Sequence, residues 1–256
     1  EEDNYQVDFQ DTDGGGSSDA DADGYVAIDY NTYLTNKGQD AFSVVDSDDS
    51  LTIGNDTQLS SVIAGSTTYD MSVVEGSSTS ADADALGTIT VSERRNAEMN
   101  IWTAPGGVAA DEVIDNVAED DTIASGDYVV HQVNTNGVFG LLTNASGDTD
   151  TEKFTSAVGY ENLSVEINQT EASTGPNEDP AELNVSYLAG QGDITVVANS
   201  TSENVYIAVD TSEIAVDSGE VEIGDVFTAQ FSVNEQTGLV SENQTATGTF
   251  EVVEGA

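Results

Sequence analysis

Apolar residues alternate with polar ones in short runs along most of the chain. The first run is Tyr5, Val7 and Phe9. Others fall at residues 25–33, 42–45, 51–53, 69–74, 86–91, 99–102, 128–133 and 138–142. After a polar interval they resume at 163–167, 183–187, 194–198, 205–209, 226–233 and 247–253. A period of two puts successive side chains on opposite faces of a strand, so each run predicts a strand buried on one side. One segment departs from this pattern. In 109–120, Val113 and Val117 stand one helical turn apart with Ile114 beside them, which predicts a short amphipathic helix. Residues 144–155 are rich in Ser, Thr, Gly and Asp and predict a connector. The expectation is an all-β chain of two β-sandwich, immunoglobulin-like domains, 1–150 with the short helix and 156–256 without it. There is no heptad pattern and no exact internal repeat.

Charge changes what those domains must tolerate. Forty-nine Asp and Glu face four Lys and Arg, a formal net charge of −45. In dilute buffer such a chain repels itself. In molar salt the Debye length shrinks to about 3 Å and most of that repulsion is screened. The composition therefore suits brine and excludes phosphate-rich or anionic partners, nucleic acid first among them. An acidic chain without apolar runs would be disordered; here the runs supply a core. Cysteine is absent, so neither disulfides nor thiolate metal sites are available. No stretch approaches the about 18 apolar residues of a membrane span. The opening Glu1-Glu2-Asp3-Asn4 lacks a signal segment and is expected to be a processed or internal start.

The acceptor motif Asn-x-Ser/Thr occurs at Asn55, Asn144, Asn162, Asn168, Asn184, Asn199 and Asn243. Six of the nine asparagines from 144 to 243 lie in it, so the motif is concentrated in the second half of the chain. Strand alternation predicts Leu163, Val165 and Ile167 inward, with Asn162 and Asn168 outward. The same rule predicts Leu183, Val185 and Tyr187 inward, with Asn184 outward. The alternative for each is a solvent-facing amide without sugar.

Asp19, Asp21 and Asp23 precede Gly24 at the spacing that opens a calcium loop, with Asp11 and Asp13 as further oxygens. The expected distal Glu is replaced by Tyr30, so the match is partial and a solvated acidic loop is the competing reading. Calcium is the one cofactor this points to. Asp46, Asp48 and Asp49 form a weaker acidic turn. Trp102 is expected in the core, with a sugar platform as the alternative. Arg94 and Arg95 are expected to pair with acids of their own domain. His131 is expected to be structural, since no nucleophile elbow accompanies it.

Five segments carry a family resemblance: Tyr30-Asn-Thr-Tyr33, Ile89-Thr-Val-Ser-Glu-Arg94, Trp102-Thr-Ala-Pro-Gly106, Ser125-Gly-Asp-Tyr-Val-Val-His-Gln-Val133 and Val138-Phe-Gly-Leu-Leu142. In this order they resemble the BGTF-type surface domain of haloarchaeal secreted and S-layer-like glycoproteins, over roughly residues 20–145. The resemblance implies an extracellular, cell-surface location, N-linked glycans and no catalytic residues. The expected function is that of an extracellular structural protein of a halophilic archaeon, self-assembling at the cell surface, with copies of itself, divalent cations and N-linked glycans as partners. Two alternatives stand beside it. One is a filament subunit joined by donation of the strand at Tyr5, Val7 and Phe9. The other is an adhesin or binding module. No enzyme is expected.

Overall fold

The computed structural model describes residues 6–10, 26–36, 41–45, 50–55, 59, 62–63, 67–73, 84–92, 94, 97–109, 112–159, 163–171, 182–183, 185–212, 215–216, 219–220 and 222–255. The architecture is mostly β, as the alternation predicts. The chain forms two compact units, Glu1–Glu93 and Arg94–Ala256.

In the first unit the described strands form three two-stranded antiparallel ribbons. β1 (Gln6–Gln10) pairs with β4 (Ser50–Asn55), β2 (Ile28–Tyr30) with β3 (Phe42–Val44), and β5 (Thr67–Val73) with β6 (Ala85–Val91). The expected strand at 25–33 stops at Tyr30. The Asn31 Oδ1 accepts the Tyr33 N–H at 3.1 Å and starts a 3-10 turn, Thr32–Asn36, which buries Tyr33 and Thr35. An Asn that caps its own backbone in this way competes with the sheet. Tyr30 and Phe42, opposite each other across β2 and β3, stack at 4.4 Å.

The second unit holds the larger core. β7 (Glu98–Ala104), β8 (Ala118–Glu119), β10 (Tyr128–Asn134), β13 (Ile194–Asn199) and β14 (Asn204–Asp210) form one sheet in the order β13-β14-β10-β7-β8. β9 (Thr122–Ala124), β11 (Leu163–Glu171), β12 (Glu182–Leu183), β17 (Val226–Val233) and β18 (Gln244–Val253) form a second in the order β12-β11-β17-β18-β9. β15 (Ala215–Val216) and β16 (Gly219–Glu220) make a small ribbon. Alternate residues of the two sheets fill the space between them: Val129, His131 and Val133 from β10, Val205, Ile207 and Val209 from β14, and Phe227, Phe231 and Phe250 from β17 and β18 are all buried. Along one side β7 lies against β18, where a Cβ on Gly248 would stand 2.7 Å from Ile101 Cδ1 and 3.1 Å from Met99 Sδ. A larger residue there would push the Ile101 and Met99 side chains aside.

Three segments differ from the strand or connector expected of them. Residues 138–142 form a helix, α1 (Phe139–Asn144), because adjacent Leu141 and Leu142 are both buried, and a strand would have sent them to opposite faces. Of residues 183–187, Leu183 ends β12 and Val185 opens α3 (Val185–Gln191), whose Val185 and Leu188 share a buried face at helical spacing. The polar stretch 144–155 runs into α2 (Asp150–Gly159). Thr149 and Glu152 form its capping box: the Glu152 N–H donates to Thr149 Oγ1 at 3.2 Å, and Glu152 Oε2 accepts from the Asp148 and Thr149 N–H groups at 2.8 and 3.0 Å. These bonds hold the Glu152 carboxyl below its ordinary range. α2 also serves the sheet. Thr151 Oγ1 and Asp150 Oδ2 accept the Val196 and Ala198 N–H groups of the edge strand β13, at 2.9 and 2.8 Å. Strands from before and after residue 150 pair within the same sheets, β10 with β14 and β9 with β18, so the expected boundary at 144–155 lies inside this unit. The helix expected at 109–120 is a single 3-10 turn, Val113–Asn116, followed by β8. Its Val113 packs on Ala104, Val130 and Ala208.

Two of the motif segments meet in a tight turn. Gly106 lies against the Gly126 carbonyl, where a Cβ would overlap the oxygen, and the Gly106 N–H donates to Asp127 Oδ1 at 2.7 Å.

Arg94 pairs with no acid among the described residues. Its guanidinium donates to Thr135 Oγ1 at 2.7 Å and to Gln244 Oε1, and burial lowers its pKa to about 10. Arg94→Ala should destabilise the second unit by about 1.5–3 kcal/mol, the range for hydrogen bonds to a charged group. That loss should barely change between moderate and molar salt, because no carboxylate is involved. Urea unfolding at two NaCl concentrations checks both.

His131 is fully enclosed. Its Nδ1–H donates to the Ile207 carbonyl at 3.1 Å, Phe250 meets it edge-on at 5.7 Å, and its Nε2 is buried without a partner among the described residues. Desolvation lowers its pKa to about 4, the Ile207 bond opposing that shift. The folded pKa is below the unfolded value of 6.5, so the unfolded chain takes the proton first. This group's penalty is absent above 6.5 and grows as pH falls toward 4, reaching on the order of 3 kcal/mol. His131→Leu should therefore gain stability relative to wild type as pH drops through that window. Paired denaturant titrations from pH 7 to 4 measure it.

Candidate functional site

The hairpin β13–β14 closes on Asn199 and Asn204, which face each other across the ladder around the turn 200–203. The next two strands continue the row: Asn204 is opposite Asn134 of β10, and Asn134 is opposite Glu98 of β7. This is one end of the sheet. The second sheet shares it, since Arg94 ties Thr135, just past β10, to Gln244 at the start of β18.

Two exposed acceptor asparagines stand here. Asn199 Oδ1 accepts the Ser202 N–H at 3.0 Å, and Asn243 Oδ1 accepts the Glu235 N–H at 2.8 Å. Both bonds engage the amide oxygen rather than the nitrogen, the atom a glycan is joined to. Asn144, at the C-terminus of α1, is also exposed. Asn168 is half-buried in β11 between β12 and β17. Leu163, Val165 and Ile167 point into the core as expected. Asn55 closes β4 opposite Gln6. Asn162 and Asn184 lie outside the described residues, and α3 replaces the strand from which an outward Asn184 was inferred.

The same sheet presents a polar-aromatic outer face. Trp102 is half-buried and its Nε1–H donates to Gln132 Oε1 at 2.9 Å. Gln132 Nε2 donates to the Tyr206 hydroxyl at 3.2 Å, and Asn134 Nδ2 donates to Asn204 Oδ1 at 2.9 Å. Trp102 is therefore neither a core residue nor a fully exposed one: its edge flanks the cluster of Ala104, Val113, Val130 and Ala208. The strand pattern revealed neither this network nor that it shares a sheet face with Asn199.

Asp11, Asp13, Asp19, Asp21 and Asp23 lie outside the described residues, as do Asp46, Asp48, Asp49 and Arg95. Among the described residues no three potential metal ligands gather. Val7 and Phe9 lie in β1, opposite Ile53 and Leu51 of the same chain, and Tyr5 is outside the described residues.

No protein-family model matches the chain. Its sequence is 29% identical over 254 residues, 90% of this chain, to a cell surface glycoprotein of Haloferax gibbonsii. It is 24% and 27% identical, over 91% of its length, to cell surface glycoproteins 2 and 1 of Haloarcula hispanica. The chain spans only 27–28% of the length of these relatives. The likeness thus extends well beyond the segments at 20–145, and along nine-tenths of its length the chain is similar to cell surface glycoproteins of halophilic archaea, which places it outside the cell at the cell surface.

Proposed function

We propose that this chain is a structural, non-catalytic module of a self-assembling surface glycoprotein, held in its array by the ions of a brine and carrying N-linked sugars. The observation that carries this is where the charge sits. Among the described residues Asp225 is the one buried carboxylate, and its Oδ2 accepts the Glu222 N–H at 2.8 Å. The other acids of the second unit whose exposure is described are exposed or half-buried around its apolar two-sheet core. Copies with such surfaces repel one another unless ions stand between them. Divalent cations, calcium foremost, are the efficient bridges between carboxylates on adjacent copies. The relatives' names support a glycoprotein, and the exposed Asn144, Asn199 and Asn243 are the best-placed acceptors described. Pairing of β1 with β4 gives that strand a partner within its own chain, so this assembly uses faces rather than a donated strand.

Ordered assemblies formed in molar NaCl with calcium should dissolve when a chelator is added and salt is diluted, as electron microscopy would reveal. Arrays that persist in chelator at low salt would rule the mechanism out. In glycopeptide mass spectrometry of protein from a glycosylating haloarchaeal host, Asn144, Asn199 and Asn243 should be occupied and half-buried Asn168 largely bare. Unmodified peptides at all three exposed positions would contradict the glycoprotein reading.

A further inference from the structure

We propose that the outer face of the β13-β14-β10-β7 sheet is a seat for the glycan on the chain's own Asn199. This inference rests on the glycoprotein reading above. Antiparallel pairing puts opposite residues on the same face. Asn199 therefore shares its face with Asn204, and through the ladder with Asn134, Gln132, Tyr206 and Trp102. Tyr206 is one strand over and two residues along from Asn199. Trp102 is three strands over and four residues along, on the order of 20 Å from Asn199 by strand geometry, with its indole leaning toward Gln132 of β10. A sugar chain of a few residues covers that span.

The chemistry of the face fits a neutral polyhydroxylated ligand. Pyranose rings lay their C–H faces on aromatic rings, and their hydroxyls both donate to and accept from amides. Trp102 and Tyr206 supply the rings, both half-buried, with exposed Asn100 beside them. The Tyr206 hydroxyl accepts from Gln132 at 3.2 Å and from Asn204 at 3.4 Å, so its own proton is directed to a further acceptor. The bonds among these side chains fix their rotamers in advance, which reduces the entropy lost on covering them. Charge supports the same occupant. In a chain of net charge −45 this face is lined by neutral amides and rings, while Glu98, Glu119 and Asp210 stand at its margins. A cationic partner would find no carboxylate in its centre, whereas a neutral sugar meets no desolvation penalty from one.

Trp102 is the only tryptophan, so its fluorescence reports on this face alone. The test uses acrylamide quenching in molar NaCl on the full chain from a glycosylating haloarchaeal host, with occupancy of each acceptor measured by glycopeptide mass spectrometry. Asn199→Gln should raise the quenching constant about twofold, as expected if the glycan covers the exposed side of a half-buried indole. Thr201→Ala, which removes the acceptor motif but keeps the Asn199 amide, should match it. Asn243→Gln should leave quenching unchanged. An occupied Asn199 whose loss does not alter quenching overturns the proposal. So does shielding that survives in Asn199→Gln and disappears on dilution, which would make a second copy the occupant. A bare Asn199 also overturns it; occupancy at Asn144 or Asn243 in the same digest then shows whether the glycoprotein reading itself survives.

Discussion

Repulsion among carboxylates that have almost no cations to pair with is the constraint on everything else in this molecule. With 49 acids and four bases, ion pairs cannot organise the fold. Among the described residues most acids are instead left at the surface, where counterions at high salt shorten the range of their fields to a few ångströms. Cohesion falls to interactions that salt does not weaken: apolar burial, backbone ladders and hydrogen bonds between neutral groups.

The second unit shows how this is done. Phe227, Phe231 and Phe250 from one sheet and Val129, Val133 and Ile207 from the other form a dry core. Where an acid is used structurally, it accepts backbone N–H groups rather than meeting a base. Asp150 does so on the edge of β13, Glu152 at the start of α2, and Asp225 in its buried turn. Arg94 follows the same rule in reverse by bonding Thr135 and Gln244, two neutral partners, across the end of the sandwich. A guanidinium that binds no carboxylate among the described residues holds strands together in a way that is insensitive to the ionic medium.

The pattern of alternation carried the strands well. The runs at 128–133, 205–209 and 226–233 became β10, β14 and β17 within a residue or so at either end. It misled where two buried residues were adjacent or three apart. Leu141 with Leu142, and Val185 with Leu188, need a helical turn to reach one core, and a short apolar run does not separate the two geometries. The stretch at 144–155 carried a usable signal, Thr149 followed three residues later by Glu152, but its polar composition resembles a connector. Acceptor asparagines were visible as a motif. Which of them are exposed, as Asn199 and Asn243 are, and which is half-buried, as Asn168 is, depends on neighbours far away in the chain.

The amino-acid order alone determined the β character, the outward acids, the reliance on salt and the likeness to surface glycoproteins, because these depend on composition, local periodicity and short contiguous segments. Tertiary structure alone decided that strands from either side of residue 150 join in one sheet, that His131 is sealed against Phe250, and that Asn199 shares a sheet face with Tyr206 and Trp102. Those outcomes depend on which strands become neighbours. Strand order is set by how the whole set of apolar faces can be covered at once, and no local stretch of sequence contains that information.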